Sequence, residues 1–418
     1  MGKTEKDISN SLSRIAWLRF KKNKLAMFGL CIIIVSVFIF ISGYLICPDS
    51  SPDANEQKPE LQIKQPGFSI KMLNIKKNEP TYSSNFFSRM LFGQNNNYTS
   101  VTVYDYQFSG NDIVVEEYTG NQPNRGTKIR YNLADVVYSI NTNKEIKNDE
   151  KNGIIEFYEF ESNEKIKSTA KQLQTIIEKE LIVTKKFILG TDRLGRDLLS
   201  RMLIGTRVSI SVGFIAVFIS LFLGVFLGAV SGYFRGWVDD IIMWLINVVW
   251  SIPTLLLVIA ITLVLGKGFW QVFVAVGLTM WVEVARIVRG QVLSIREKEF
   301  VEAGKALGFT DNRIILKHVL PNVMGPVIFI AASNFASAIL TEASLSFLGI
   351  GAQPPISSWG KMINDHWAYI FTADAFHLTL IPGLSIMIMV LAFMLVGNGL
   401  RDALDSKSVD TRTAISNG

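Results

Sequence analysis

Along the 418 residues no nucleophile lies beside a base, no carboxylate pair stands out, and no histidine or cysteine falls at a metal-ligand spacing. His318, His366 and His377 are scattered. Cys31 and Cys47 lie 16 residues apart, about 24 Å along a helix, too far to pair within one chain. Both read as small apolar residues of a membrane helix. No G-x-x-x-x-G-K-S/T phosphate loop occurs. The residues whose spacing carries information instead form a charged segment, Ser294 to Pro321 (SIREKEFVEAGKALGFTDNRIILKHVLP), set between two apolar runs each long enough to cross a bilayer. Ser294 followed by Glu297 reads as a capping box, which predicts a helix starting there and running through Ala306 and Leu307. Gly308 is suited to end it in a left-handed turn, Thr310 to cap a second helix, and Pro321 to mark the next boundary. On residue types alone this is a basic loop with helical turns.

The elements that hold this segment are apolar. Hydrophobic residues make up 49% of the chain, and they cluster in runs of about 20, the length that spans about 30 Å of hydrocarbon. We read six spans: 25–46, then spans near 208–233, 239–265, 269–288, 323–340 and 378–395. The net charge of +6 is topological evidence. A basic segment (1–24, with Lys3, Lys6, Arg14, Arg19, Lys21, Lys22 and Lys24) and a tail (401–418, with Arg401, Lys407 and Arg412) predict cytoplasmic ends. No basic patch interleaved with aromatics suggests nucleic acid. Ser220, Gly224, Gly228 and Gly232 recur every four residues, which predicts a face packed closely on another span. Pro253 predicts a kink in the third span. Glu283 is placed to pair with Arg286 one turn on.

Residues 48–189 are polar and cannot span. They read as a separate soluble α+β insert on the far side of the first span, a spacer in preference to a docking surface for another protein. Alternation predicts a hairpin from Val101 to Phe108 and Ile113 to Tyr118, a strand from Ile154 to Phe160, and an amphipathic helix from Glu164 to Glu180. After the insert, Asp192 is placed to cap a short helix whose arginines sit at headgroup level, with Leu198, Leu199, Met202 and Leu203 on its apolar side.

Within the charged loop, Glu302, Ala303, Gly304, Ala306, Gly308, Leu320 and Pro321 fall at the spacing of the EAA loop, and the chain resembles ABC-importer permeases. Two further runs resemble the dipeptide, oligopeptide and nickel branch. One is GTDRLGRDLLSRMLIGTRVS, with Gly190, Asp192, Gly195, Arg196 and Asp197. The other is EASLSFLGIG..PP..SWG, with Ser346, Phe347, Gly349, Pro354, Pro355, Trp359 and Gly360. The string from Trp17 to Ala26 is similar to the start of the first span in that branch. Departures are Gly304, where a second alanine is usual, His318 in place of an apolar residue, and Trp244 and Asn247 in place of an arginine and an aspartate.

The resemblance implies an all-α polytopic membrane protein: six transmembrane helices of ABC-importer permease type, a cytoplasmic EAA coupling-helix loop at 294–321, and an extracytoplasmic α+β insert between spans 1 and 2. It implies a C-type permease subunit of the bacterial plasma (inner) membrane that carries peptides, with nickel as the alternative cargo. It also implies partners: a homologous second permease subunit, two ATPase subunits binding ATP and Mg, and an extracytoplasmic substrate-binding protein. The chain itself would hold no cofactor or metal. The third run would serve an outer gate, since its glycines and prolines prevent a continuous helix. Glu342 reads as a gate residue or as a buried structural acid. Two other classes stay open, a membrane-anchored receptor and a secondary transporter with its own ion pathway.

Overall fold

The computed structural model describes residues 12–80, 84–120, 125–149, 153–266 and 268–404. Lys3, Lys6, Lys407 and Arg412 lie outside them. Two compact units appear: one holds Gly205–Trp367 with the chain up to Phe40 and from Thr379, and the other holds Ile41–Ile204 with Ala368–Leu378.

Helix α1 (Leu12–Lys22) gives way at Asn23 to α2 (Lys24–Ile46), where the Asn23 carboxamide accepts from Ala26 N–H at 3.1 Å. Twenty-three residues make α2 about 34 Å long. After it come β1 (Phe68–Lys76), α3 (Phe86–Phe92), β2 (Tyr98–Ser109), β3 (Asp112–Glu117), β4 (Lys128–Asn132) and α4 (Leu133–Val137). Then follow β5 (Lys147–Asp149), β6 (Ile154–Tyr158), β7 (Lys165–Thr169), α5 (Ala170–Ile176) with a π turn, and β8 (Ile182–Phe187). An antiparallel sheet runs β4-β3-β2-β1-β8, and a second runs β5-β6-β7. Inward residues of both sheets and the short helices, Leu73, Val103, Ile113, Leu133, Ile155, Phe157 and Leu173 among them, share one core.

The expected hairpin is present, with Phe108 opposite Ile113 and Gly110 at φ +60 in the turn. The helix expected from Glu164 to Glu180 is shorter. Lys165–Thr169 form a strand instead, because alternation there puts Lys167 directly across from Glu156 and Lys165 diagonally across on the same face, each at 2.6 Å. The helix begins only where Thr169 and Gln172 make a capping box.

The apolar part comprises α6 (Leu198–Phe234), α7 (Gly236–Trp250), α8 (Thr254–Leu265), α9 (Phe269–Arg296), α10 (Glu299–Ala306) and α11 (Asp311–Ile314). A π turn (Ile315–Val319) joins α11 to α12 (Leu320–Phe347), which is followed by α13 (Trp359–His366) and α14 (His377–Leu404). Among the described residues five helices are long and apolar enough to span, and the count is six if α7 and α8 form one broken span. Those two helices meet at 93°, so Pro253 breaks the segment where a kink was expected. Pro253 itself is extended, at φ −54 and ψ 124, and a proline drives the residue before it out of the helical region.

The small-residue stripe on α6 packs as expected, against α9. A Cβ at Gly224 would lie 2.4 Å from Val284, at Gly228 2.5 Å from Ala285 O, and at Gly232 2.8 Å from Arg289 O. Only a bare backbone fits there.

Candidate functional site

The charged loop is built differently at its two ends from what its spacing suggested. Ser294 lies inside α9, which runs on to Arg296. A helix already propagating from the apolar run has no need of a new cap, so the Ser294–Glu297 box does not start one. The break falls at Glu297 and Lys298, and α10 begins at Glu299.

Its far end matches expectation. Gly308 sits at φ +76, its N–H donates to Lys305 O at 2.9 Å, and Phe309 N–H donates to Gly304 O at 3.1 Å. These are the two bonds of a Schellman stop. Thr310 occupies the N-cap position with extended backbone, but its side chain makes no cap bond. Pro321 does not end the helix, which continues from Asp311 to Phe347. The π turn before it sends Leu320 N–H to Ile315 O, shifting the bonding pattern just where the proline withdraws a donor.

The loop has an inner and an outer side. Val301, Ile314, Ile315 and Val319 are buried with Ala229, Tyr233, Val288 and Val292. Gly304 is buried too, and a methyl added there would meet Phe309 at 3.5 Å, an ordinary contact. The missing alanine is therefore a tolerated departure. His318 stacks on Phe309 with ring centroids 5.9 Å apart, and Arg313 covers the Phe309 ring at 3.9 Å. Glu302, Ala303, Ala306, Gly308 and Pro321 are exposed, and so are Phe300 and Leu307.

A polar cluster that the sequence did not disclose ties this loop to α6, α7 and α9. Tyr233 donates to Asp311 at 2.6 Å. Arg296 and Lys305 sit 5.6 and 5.5 Å from the Tyr233 ring centre. Arg235 pairs with Glu297, whose carboxyl that bond holds below the usual range. Arg289 grips Asp239 with two bonds of 2.6 Å, and Ser231 also donates to Asp239. Apart from Ser231 and Asp239, eight residues apart, the hydrogen-bonded partners lie 50 or more residues apart, so no local pattern signals them.

In the other unit, Asp192 does not cap a helix, and Arg196 and Arg201 are buried while Arg193 is exposed. Asp192 accepts from Leu194 N–H at 2.8 Å, Arg196 N–H at 3.0 Å and Arg196 Nε at 2.7 Å, all buried or nearly so. Arg196 reaches Asn55 at 3.0 Å. Asp197 accepts from Ser200 N–H at 2.8 Å, so it is Asp197 that caps α6. Burial pushes the Asp197 carboxyl upward despite its bonds from Ser200. A Cβ at Gly195 would strike Lys58 O at 1.7 Å, and one at Gly190 would strike Lys64 O at 2.2 Å. The segment is a clasp on residues 49–64. Its glycines serve that close approach and their positive φ.

The third segment turns back on α12. Phe347 ends the helix and Gly349 takes φ +77. Glu342, 2% exposed, accepts from Ser346 at 2.6 Å, and Ser346 Oγ also accepts from Ala352 N–H at 3.1 Å. Trp359 is buried, and a Cβ at Gly360 would lie 2.4 Å from Ala343 O, so α13 lies hard against α12. Pro354 and Pro355 are exposed and joined by a cis peptide bond. Glu342 is thus a buried, bonded acid. The expected Glu283–Arg286 pair is not formed: Glu283 is exposed and Arg286 stacks over Trp250 at 3.5 Å, since a planar guanidinium gains from an aromatic face. Among the described residues no group of three or more His, Cys, Asp or Glu could hold a metal.

The comparisons with known proteins decide the family. Residues 224–409 match the family described as binding-protein-dependent transport system inner membrane component, and residues 11–66 match the N-terminal TM domain of oligopeptide transport permease C. The dipeptide transport system permease protein DppC of Alkalihalophilus pseudofirmus is 43% identical over 218 residues, 52% of this chain and 71% of the relative. The chain belongs to this permease family. A second relative of the permease is the glutathione transport system permease protein GsiD of Pectobacterium atrosepticum, 41% identical over 219 residues, 52% of this chain and 72% of the relative. Among solved structures, an inward-facing MetNI methionine ABC transporter aligns with TM-score 0.43 and 17% identity, over 50% of this chain and 98% of that one. The strands of the insert fall between the two matched regions of the permease.

Proposed function

We propose that the permease is one of two related membrane subunits of an ATP-binding cassette importer for short peptides, the cargo class named for its dipeptide and glutathione relatives. In this reading loop 294–321 is cytoplasmic and docks on a separate ATPase that binds ATP and Mg. Both termini are cytoplasmic, α7 and α8 count as one crossing of six, and the 48–189 insert lies outside as a spacer. A binding protein delivers cargo on that side. The Asp192–Asp197 clasp fixes the start of α6, and the Ser346–Gly360 turn lines the outer gate.

One observation carries this reading. The Gly308 stop holds α10 so that Phe300, Glu302, Ala303, Ala306 and Leu307 face outward, while Val301, Gly304 and Ile314 anchor it inside. Apolar and acidic groups raised on a fixed short helix suit a groove on another protein. ATPase closure moves the loop only if its contacts differ between the two states, since equal contacts shift nothing. Replacing Glu302→Lys is expected to leave insertion and ATP hydrolysis intact while uptake of a dipeptide falls at least tenfold. A cysteine at Ala303 should cross-link to the ATPase. Undiminished uptake in the Glu302 variant, or uptake driven by an ion gradient without ATP, would overturn the proposal.

A further inference from the structure

Helix α3 (Phe86–Phe92) belongs to the insert, outside both matched regions, and the coupling mechanism gives it no task. Phe86 is 62% exposed, Phe87 70% and Leu91 43%. At about 100° per residue these three and Met90 occupy one arc of about 140°, and Ser88 and Arg89 lie opposite with Phe92, 70% exposed, between them. Aromatic side chains standing in water at this density need an apolar neighbour.

The neighbour follows from where the helix is fixed. Its C-terminal residue is followed by Gly93, at φ +76, where a Cβ would come 2.6 Å from Ser50 O and 3.0 Å from the Tyr44 ring. Gln94 N–H donates to Ser50 O at 2.9 Å, and Tyr44 in turn accepts from Asp53 N–H at 3.1 Å. Tyr44 is in the last turn of α2, two residues before the membrane span ends at Ile46. Leu45 and Ile46 are themselves exposed. The end of α3 is therefore pinned by backbone contact to the point where the chain leaves the hydrocarbon. Its polar side is provided for: Arg89 lines a cleft of about 640 Å³ shared with Asp49, Glu56, Lys185 and Lys186.

We infer that α3 is an interfacial anchor, with Phe86, Phe87 and Leu91 set into the bilayer at the headgroup–acyl boundary and Ser88 and Arg89 turned away from it, Arg89 toward the cleft. The occupant of the aromatic arc is lipid, because a short helix rich in exposed aromatic side chains and held at the level of a span's end meets lipid first. The anchor would stop the insert from tilting about the end of α2. It holds whichever side of the membrane the insert occupies, so it stands apart from the transport reading.

The test uses the full chain in lipid nanodiscs with Cys31→Ala and Cys47→Ser, the latter keeping a donor for Asp49 O. Nitroxide labels go at Phe87→Cys and Leu91→Cys on the aromatic arc, at Ser88→Cys opposite, and at exposed Asn143→Cys as a water reference. Power saturation should give an oxygen-to-nickel-chelate accessibility ratio several-fold higher at 87 and 91 than at 88 and 143. Ratios at 87 and 91 equal to those at 143 would overturn the anchor. Exclusion of both relaxers would overturn it in favour of a protein partner covering the arc.

Discussion

The Tyr233 hydroxyl donates to the Asp311 carboxylate at 2.6 Å, joining the last turn of α6 to the first turn of the helix that follows Gly308. A hydrogen bond to a charged acceptor contributes about 1.5–3 kcal/mol when buried, and Asp311 is exposed, so about 1 kcal/mol is expected here. Tyr233→Phe keeps the ring under Arg296 and Lys305 and removes only the bond. Amide exchange in residues 299–314 should accelerate about fivefold; unchanged exchange would mean that the bond restrains nothing.

Gly304 and Gly308 should respond oppositely to an added side chain. Gly304→Ala places a methyl at 3.5 Å from Phe309 inside α10 and should stabilise the helix by about 0.5–1 kcal/mol. Gly308→Val forces a branched residue to φ +76 and should cost at least about 1–2 kcal/mol locally. Protease protection of the loop in detergent distinguishes the two, with slower cleavage for Gly304→Ala and faster for Gly308→Val.

The Asp239–Arg289 pair, with two bonds of 2.6 Å, is only partly exposed. Removing either partner leaves the other charge poorly solvated, a loss of about 2 kcal/mol by analogy with buried pairs. Thermal unfolding of Asp239→Ala, Arg289→Ala and the double variant should show the double loss smaller than the sum of the singles. Strict additivity would mean no coupling.

Glu56 supplies a pH dependence. Burial raises its carboxyl, but Lys185 and Lys58, at 3.5 and 3.1 Å, outweigh that and hold it below its ordinary value. A depressed folded pKa gives stability that is complete above the unfolded value near 4.5 and is lost as pH falls below it. Unfolding of the insert followed from pH 7 to pH 3 should show this acid loss, and Glu56→Gln should reduce it. Parallel curves would exclude the pair as its source.

What could be read from the sequence was whatever a residue decides within a few neighbours. Gly308 must turn left, Gly224 and its companions must meet another backbone, and alternation around Gly110 must fold back. What escaped needed distant partners. Asp192 looked like a cap because the bonds that fold its segment back, Arg196 to Asn55 and Lys64 N–H to Thr191, reach more than 120 positions earlier. Ser294 and Glu297 satisfied a capping pattern within a helix already under way. Glu283 had Arg286 in reach, but Trp250 competed for the guanidinium from another helix. The Tyr233 and Asp239 contacts carried no local mark at all.

The uninterrupted run from Asp311 to Phe347 has a mechanical corollary. Its 37 residues amount to about 56 Å, more than a bilayer's hydrocarbon depth, with Tyr233's grip at one extremity and the Glu342–Ser346 bond near the other. The places where its backbone bonding changes are the wide turn at Ile315–Val319 and Pro326 inside α12. One continuous helix therefore links the two bonded places, so a displacement at either is felt at the other unless one of those two points bends.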